Sequence, residues 1–113
     1  MSIPNAASAY VPPDKVSEYL LDENHPIGGS KAKWFIGLGY DPADPTRLEQ
    51  DLLKQVQVAA DFEEKASAHG TKYVVSGKIT TPSAAEANVT TVWIVDPFDN
   101  RPRLVTAFPG AKS

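Results

Sequence analysis

The chain has 113 residues and a mass of 12.2 kDa, enough for one domain around one hydrophobic core. It contains no cysteine, which excludes disulfides, thiol nucleophiles, iron–sulfur clusters and every cysteine-based zinc site. A net charge of −3 and a pI near 5.2 exclude a protein that holds nucleic acid by overall positive charge, while leaving room for a local basic site.

Residues 1–113 are expected to form a single domain with a modest core, because 14 of the apolar residues are alanine. The N-terminus, Met1 to Val11, lacks the basic and apolar segments of a secretory signal, and no stretch approaches the roughly 18 to 20 apolar residues of a membrane span. The expectation is therefore a soluble, cytoplasmic protein with no membrane partner. The sequon Asn88-Val89-Thr90 then reads as ordinary strand sequence.

The first half, residues 1–71, has mainly helical patterns. Pro12-Pro13-Asp14 predicts a short helix through about Leu21, with Val16, Tyr19 and Leu20 on its buried face. Ser30 can cap a second helix in which Trp34, Phe35 and Leu38 share a face, and Gly39 is a natural left-handed terminator. Asp44-Pro45 predicts the start of a third helix, with Leu48, Leu52 and Val56 inward and Arg47, Glu49, Gln50, Asp51 and Lys54 outward, fraying across Ala59 to His69.

The second half, residues 72–113, changes to a period of two. Lys72 to Thr81 predicts a strand with Tyr73, Val75, Gly77 and Ile79 on one face. Val89 to Val95 and Arg103 to Phe108 predict two more, with turns at Pro82 to Glu86 and Asp96 to Asn100. Short connections favour an antiparallel meander, giving an α+β fold of N-terminal short helices followed by a three- to four-stranded antiparallel sheet. Charge divides the same way. Residues 1–71 carry six basic and eleven acidic groups, a net −5, whereas residues 72–113 carry five and three, a net +2. A polyanion would be met by the strands, with Lys31 and Lys33 as possible additions.

Three stretches carry a resemblance. His25-Pro26-Ile27-Gly28-Gly29-Ser30-Lys31-Ala32-Lys33-Trp34-Phe35 follows the pattern H-P-x-G-x-x-K-A-x-x-F. Thr91-Val92-Trp93 and Pro102-Arg103-Leu104-Val105-Thr106-Ala107-Phe108-Pro109 follow T-V-W and P-R-L-V-T-x-[YF]-P. Together with Ile3-Pro4-Asn5-Ala6, Leu38-Gly39-Tyr40 and Gly70 with Tyr73, they resemble a bacterial family of small uncharacterised domains, stand-alone or at the C-terminus of toxin-like proteins. The chain departs from that pattern at Ser83-Ala84-Ala85-Glu86, where relatives tend to carry a glycine-bearing Pro-Asn-Gly turn. It departs again at Phe108, where tyrosine is common, which puts in doubt any hydroxyl role there. The order of helices then sheet is also similar to that of the metal-independent ribonuclease toxins sharing the barnase, colicin D and RelE-type fold, an analogy of architecture only.

The chemistry that analogy implies needs a base for the ribose 2′-hydroxyl, cations for the phosphate and an acid for the leaving oxygen. Five residues could supply it. His25, in a polar loop before a helix, would be base or acid, since an imidazole ordinarily titrates near 6.5; otherwise it caps a helix or bonds a loop carbonyl. Lys31 and Arg103 would stabilise the phosphate, and Tyr73 and Thr106 would orient it. Arg103 could equally pair with Asp96 or Asp99 across the last hairpin. Tyr73, Thr91, Trp93 and Thr106 have parities that could bring them to one sheet face. Gly28-Gly29-Ser30 could offer N–H groups to a phosphate, but no nucleotide-hydrolysing loop motif is present. His25 and His69 are too far apart in sequence for a metal pattern, so no metal and no cofactor is expected. The partners expected are RNA or a cognate protein. The alternative function is a non-catalytic protein-interaction module, part of a two-protein system, using an edge strand or an exposed face bearing Trp93.

Overall fold

A computed structural model describes residues 3, 5–12, 29–41, 43–58, 62–83, 86–98 and 100–109, with only the backbone at 29–31. The helix expected from Pro12 to Leu21 lies outside the described residues. The order is a 3-10 turn (Ala6–Ser8), helices α1 (Gly29–Gly37) and α2 (Pro45–Val58), then strands β1 (Phe62–Ser67), β2 (Gly70–Thr80), β3 (Glu86–Val95) and β4 (Arg103–Pro109). The sheet is a four-stranded antiparallel meander in the order β1-β2-β3-β4. The fold is α+β, as the change of period near Gly70 predicts.

Helix α1 begins at Gly29, one residue before the expected cap, and ends as expected. The Leu38 and Gly39 amides bond the Phe35 and Ile36 carbonyls, and Gly39 takes φ +103°. Helix α2 starts at Pro45, where a missing N–H costs nothing, and its Leu48, Leu52 and Val56 are fully buried. Asp51, expected outward, is half-buried because Tyr40 Oη donates to it at 2.6 Å, and Gln55, for which the spacing makes no assignment, is buried.

The expectation that α2 frays across residues 59–69 is wrong: Phe62–Ser67 is a strand paired in full with β2. Its sequence lacks apolar alternation because it is an edge strand whose residues from Glu63 onward are exposed on both faces. The pairing is enforced by a two-residue turn, Ala68-His69, closed by Gly70 at φ +127°. Only glycine fits there, since a Cβ on Gly70 would lie 2.4 Å from the Val95 carbonyl oxygen. Ser67 Oγ locks the turn, donating to Gly70 O at 3.0 Å and accepting from the His69 amide at 3.2 Å.

One face of the sheet is the core. Tyr73, Val75, Ile79, Val89, Trp93, Leu104 and Ala107 join Phe35 of α1, Leu48, Leu52 and Val56 of α2, and Ile3, Ala6, Ala9 and Val11 in one buried cluster. A hydrogen-bond chain crosses it. Gln55 Nε2 donates to Val89 O at 2.9 Å and Gly77 O at 3.2 Å, Gln55 Oε1 accepts from Thr91 Oγ1 at 2.8 Å, and Trp93 Nε1 donates to the same Thr91 hydroxyl at 2.8 Å. Every polar atom of this buried set has a partner, so the set fixes how α2 sits on the two central strands.

The N-terminal segment covers the start of β4. Tyr10 forms a parallel bridge with Arg103, its amide bonding Pro102 O at 2.9 Å and its carbonyl accepting from the Leu104 amide at 3.1 Å. Arg101 is committed to this staple, donating to Ser8 O at 2.9 Å with its guanidinium 4.3 Å from the Tyr10 ring centroid.

Candidate functional site on the open face of the sheet

Strand registers place the side chains that do not join the core. Because cross-strand partners point to the same side, the face away from α2 is built in rows. One row runs Ser76, Thr90, Phe108; the next Glu63, Val74, Val92, Thr106; the third Lys65, Lys72, Ile94, Arg103. None of the apolar residues in these rows belongs to the core cluster.

The third row owes its composition to a bulge. Between Val92 and Trp93 the register with β4 shifts, so Val92 faces Thr106 while Trp93 faces Leu104, and Val105 is the extra residue. Strict alternation would put Arg103 and Thr106 on opposite faces; the bulge puts both on the open one. It also separates Thr106 from Tyr73, Thr91 and Trp93, which the alternation would group with it. Those three point into the core. Trp93 is fully buried instead of exposed, its N–H satisfied by Thr91.

Of the five expected site residues, Arg103 and Thr106 therefore stand on one face of adjacent rows, both half-buried. The Arg103 guanidinium sits 3.7 Å from Asp96 across the hairpin, a loose, partly exposed pair. Tyr73 lies on the opposite face, buried, edge-on to Phe62 at 5.6 Å between centroids. Burial, and secondarily the Glu64 carboxylate opposite it on β1, hold its hydroxyl above the usual phenol range. Lys31 lies in the first turn of α1, with its side chain outside what is described, and His25 lies outside the described residues. His69 is exposed in the β1–β2 turn.

Two concavities flank the sheet. A depression of about 370 Å³ on the open face is lined by Phe62, Glu63, Val74 and Ser76. Beside it Ser76 Oγ and Thr90 Oγ1 share a hydrogen bond at 3.1 Å. A cleft of about 350 Å³ lies between α2 and the end of β2, among Arg47, Asp51, Lys54 and Lys78. Its charges are largely spent internally: Arg47 Nε bonds Asp51 at 3.0 Å, Arg47 Nη2 reaches Thr80 O at 3.4 Å, and Lys78 pairs with Glu86 at 4.0 Å. Burial of Tyr40 and its bond to Asp51 raise that hydroxyl far above the phenol range, so it is a fixed donor here. Among the described residues no three His, Asp or Glu side chains converge as metal ligands, and no helix is long and apolar enough to cross a membrane.

On the open face Thr90 is buried, whereas Lys65 and Lys72 are exposed. Among the described residues its cations Lys65, Lys72, Lys78 and Arg103 stand with the carboxylates Glu63, Glu86 and Asp96, of which Glu86 pairs with Lys78 and Asp96 with Arg103. Lys65 and Lys72 are not among the residues that sequence reasoning singled out, because β1 itself reads as a charged helix tail.

Helices on one face of an antiparallel meander, with the other face carrying cations and hydroxyls, define a small α+β fold. The chain belongs to a family described as a domain of unknown function (DUF6883), whose model matches residues 2–111. A search of curated proteins returns no match. Among solved structures, a chain of a contact-dependent growth inhibition toxin–immunity protein complex from Klebsiella pneumoniae 342 superposes with a TM-score of 0.72 at 15% identity. The match covers 96% of this chain and 98% of that one, and at this identity it is a likeness of fold.

Proposed function

We propose that this domain is a toxin-like ribonuclease that works without metal on the open face of its sheet. The observation that carries the reading is the β-bulge, which sets Arg103 and Thr106 together on a face that no buried residue of the described helices joins. The likeness of fold to a chain of a toxin–immunity complex agrees with it.

In the reaction proposed, the ribose 2′-oxygen attacks the adjacent phosphorus and the bond to the 5′-oxygen breaks, leaving a 2′,3′-cyclic phosphate and a 5′-hydroxyl. His25 takes the 2′-hydroxyl proton or supplies the proton the 5′-oxygen needs. Arg103 stabilises the charge that grows on the non-bridging oxygens, exchanging its loose contact with Asp96 for the phosphate, and Lys31 assists. Thr106 orients the phosphate from the neighbouring row. Tyr73 takes no part at the phosphate, since it stands on the other side of the sheet.

The test is RNA cleavage by purified protein in EDTA, together with growth of bacteria expressing it. The wild type is expected to cleave and arrest growth, with Arg103→Ala slowed by about 10²-fold, the scale of removing one charge-stabilising donor. A wild type that leaves RNA and growth intact, indistinguishable from Arg103→Ala and His25→Ala, would overturn the reading.

A non-catalytic interaction module is the second reading. It is favoured by the edge strand β1, whose residues from Glu63 to Ser67 are exposed and whose outer side pairs with no described strand. Co-purification from the native host decides it: a purely monomeric protein with no retained partner removes its support.

A further inference from the structure

Lys65 and Lys72 are direct cross-strand partners in β1 and β2, on the open face and both exposed. Like charges placed directly opposite one another destabilise a sheet. Neither lysine forms an ion pair among the described residues, although Glu63 shares their face. A lysine on an edge strand is a common guard against sheet-to-sheet aggregation, and that would account for Lys65. It does not account for Lys72, which is on an interior strand and opposes the guard.

The same row continues through Ile94 to Arg103. With strands spaced about 4.8 Å apart, Lys72 lies roughly 10 Å from Arg103 and Lys65 roughly 14 Å from it, so three cations cross the whole sheet in a line. Beside them the row of Glu63, Val74, Val92 and Thr106 is apolar at its centre, while the two lysines, as flexible point charges, suit phosphates of varied geometry.

We propose that Lys65 and Lys72 form a phosphate-binding subsite that holds the backbone of a single RNA strand running across the sheet to Arg103. The proposal rests on the ribonuclease reading and adds the path of the substrate to it. The repulsion between the lysines is then a stability cost that a polyanion relieves, which explains why opposed cations stand where one acidic replacement would make a salt bridge.

The experiment uses the full chain and a fluorescein-labelled 2′-O-methyl oligoribonucleotide, which cannot undergo attack by its own 2′-oxygen. Fluorescence anisotropy measures Kd against salt concentration for the wild type, for the double variant Lys65→Gln, Lys72→Gln, and for Lys54→Gln on α2 as a control. The double variant is expected to bind at least fivefold more weakly. Its slope of log K against log salt should be shallower by about 1.4, two phosphate contacts on a single strand. Its thermal midpoint should equal or exceed the wild type's, which separates lost binding from lost folding, and Lys54→Gln should match the wild type. Unchanged Kd and slope in the double variant, with the wild type binding and cleaving RNA, would overturn this subsite alone. A loss reproduced by Lys54→Gln would also overturn it, and a wild type that neither binds nor cleaves would overturn the ribonuclease reading with it.

Discussion

The two faces of one sheet follow different rules. On the core face Tyr73, Val75 and Ile79 of β2 and Val89, Thr91 and Trp93 of β3 are buried, and the polar atoms of Gln55, Thr91 and Trp93 are tied into one satisfied chain. On the open face hydroxyls, apolar residues and charges stand in rows, and Lys65 and Lys72, which form no ion pair among the described residues, repel each other. The first face is packed and satisfied, and the second carries opposed charges at Lys65 and Lys72. That contrast, more than any single motif, is why the proposed function is placed on the second.

Substitutions of graded severity test the contrast. Trp93→Ala should be the most damaging, removing the largest fully buried side chain and costing about 3–5 kcal/mol in denaturant unfolding. Gln55→Ala leaves the Thr91 hydroxyl and two carbonyl contacts without their partner and should cost about 2–3 kcal/mol. A cost under about 0.5 kcal/mol would mean the buried chain does not anchor α2.

Tyr40→Phe comes next, at about 1.5 kcal/mol near neutral pH, for the bond to the Asp51 carboxylate. It also changes the alkaline response. The Tyr40 hydroxyl is raised above its ordinary 10.0 by burial and by Asp51, so the folded chain keeps a proton that the unfolded chain releases. Its contribution is intact below about pH 10 and declines as pH rises beyond it. Thermal midpoints measured from pH 8 to 11 should fall less steeply in Tyr40→Phe, with the remaining slope due in part to Tyr73, raised in the same direction. The smallest stability effect belongs to the open face: Val92→Thr should shift unfolding by no more than about 0.5–1 kcal/mol, because Val92 is outside the core cluster.

Much of this was legible in the sequence. The change from helical spacing to period two at Gly70 predicts the α+β class, and Leu48, Leu52, Val56 and the Tyr73-to-Ile79 face are the core that the spacing implies. Strand β1 was not legible, because an edge strand exposed on both sides has no apolar alternation, and Phe62-Glu63-Glu64-Lys65 reads as the end of an amphipathic helix. Nor was the face of Thr106. A bulge is a single extra residue with no marker in Leu104-Val105-Thr106-Ala107, yet it moves every later side chain of the strand to the other face. Gln55 escaped for a third reason: a glutamine among Leu52 and Val56 looks solvent-facing until its bonds to Gly77 O, Val89 O and Thr91 Oγ1 on the sheet are seen.

The central claim is that nucleic acid meets the open face of the sheet and not the helices. Titration of isotopically labelled protein with a short 2′-O-methyl oligoribonucleotide, followed by amide chemical shifts, tests it most directly. The account predicts perturbations concentrated at Lys65, Lys72, Val92, Arg103 and Thr106, with the exposed side of α2 unchanged. Perturbations centred on Arg47 and Lys54, or none at saturating oligonucleotide, would contradict it.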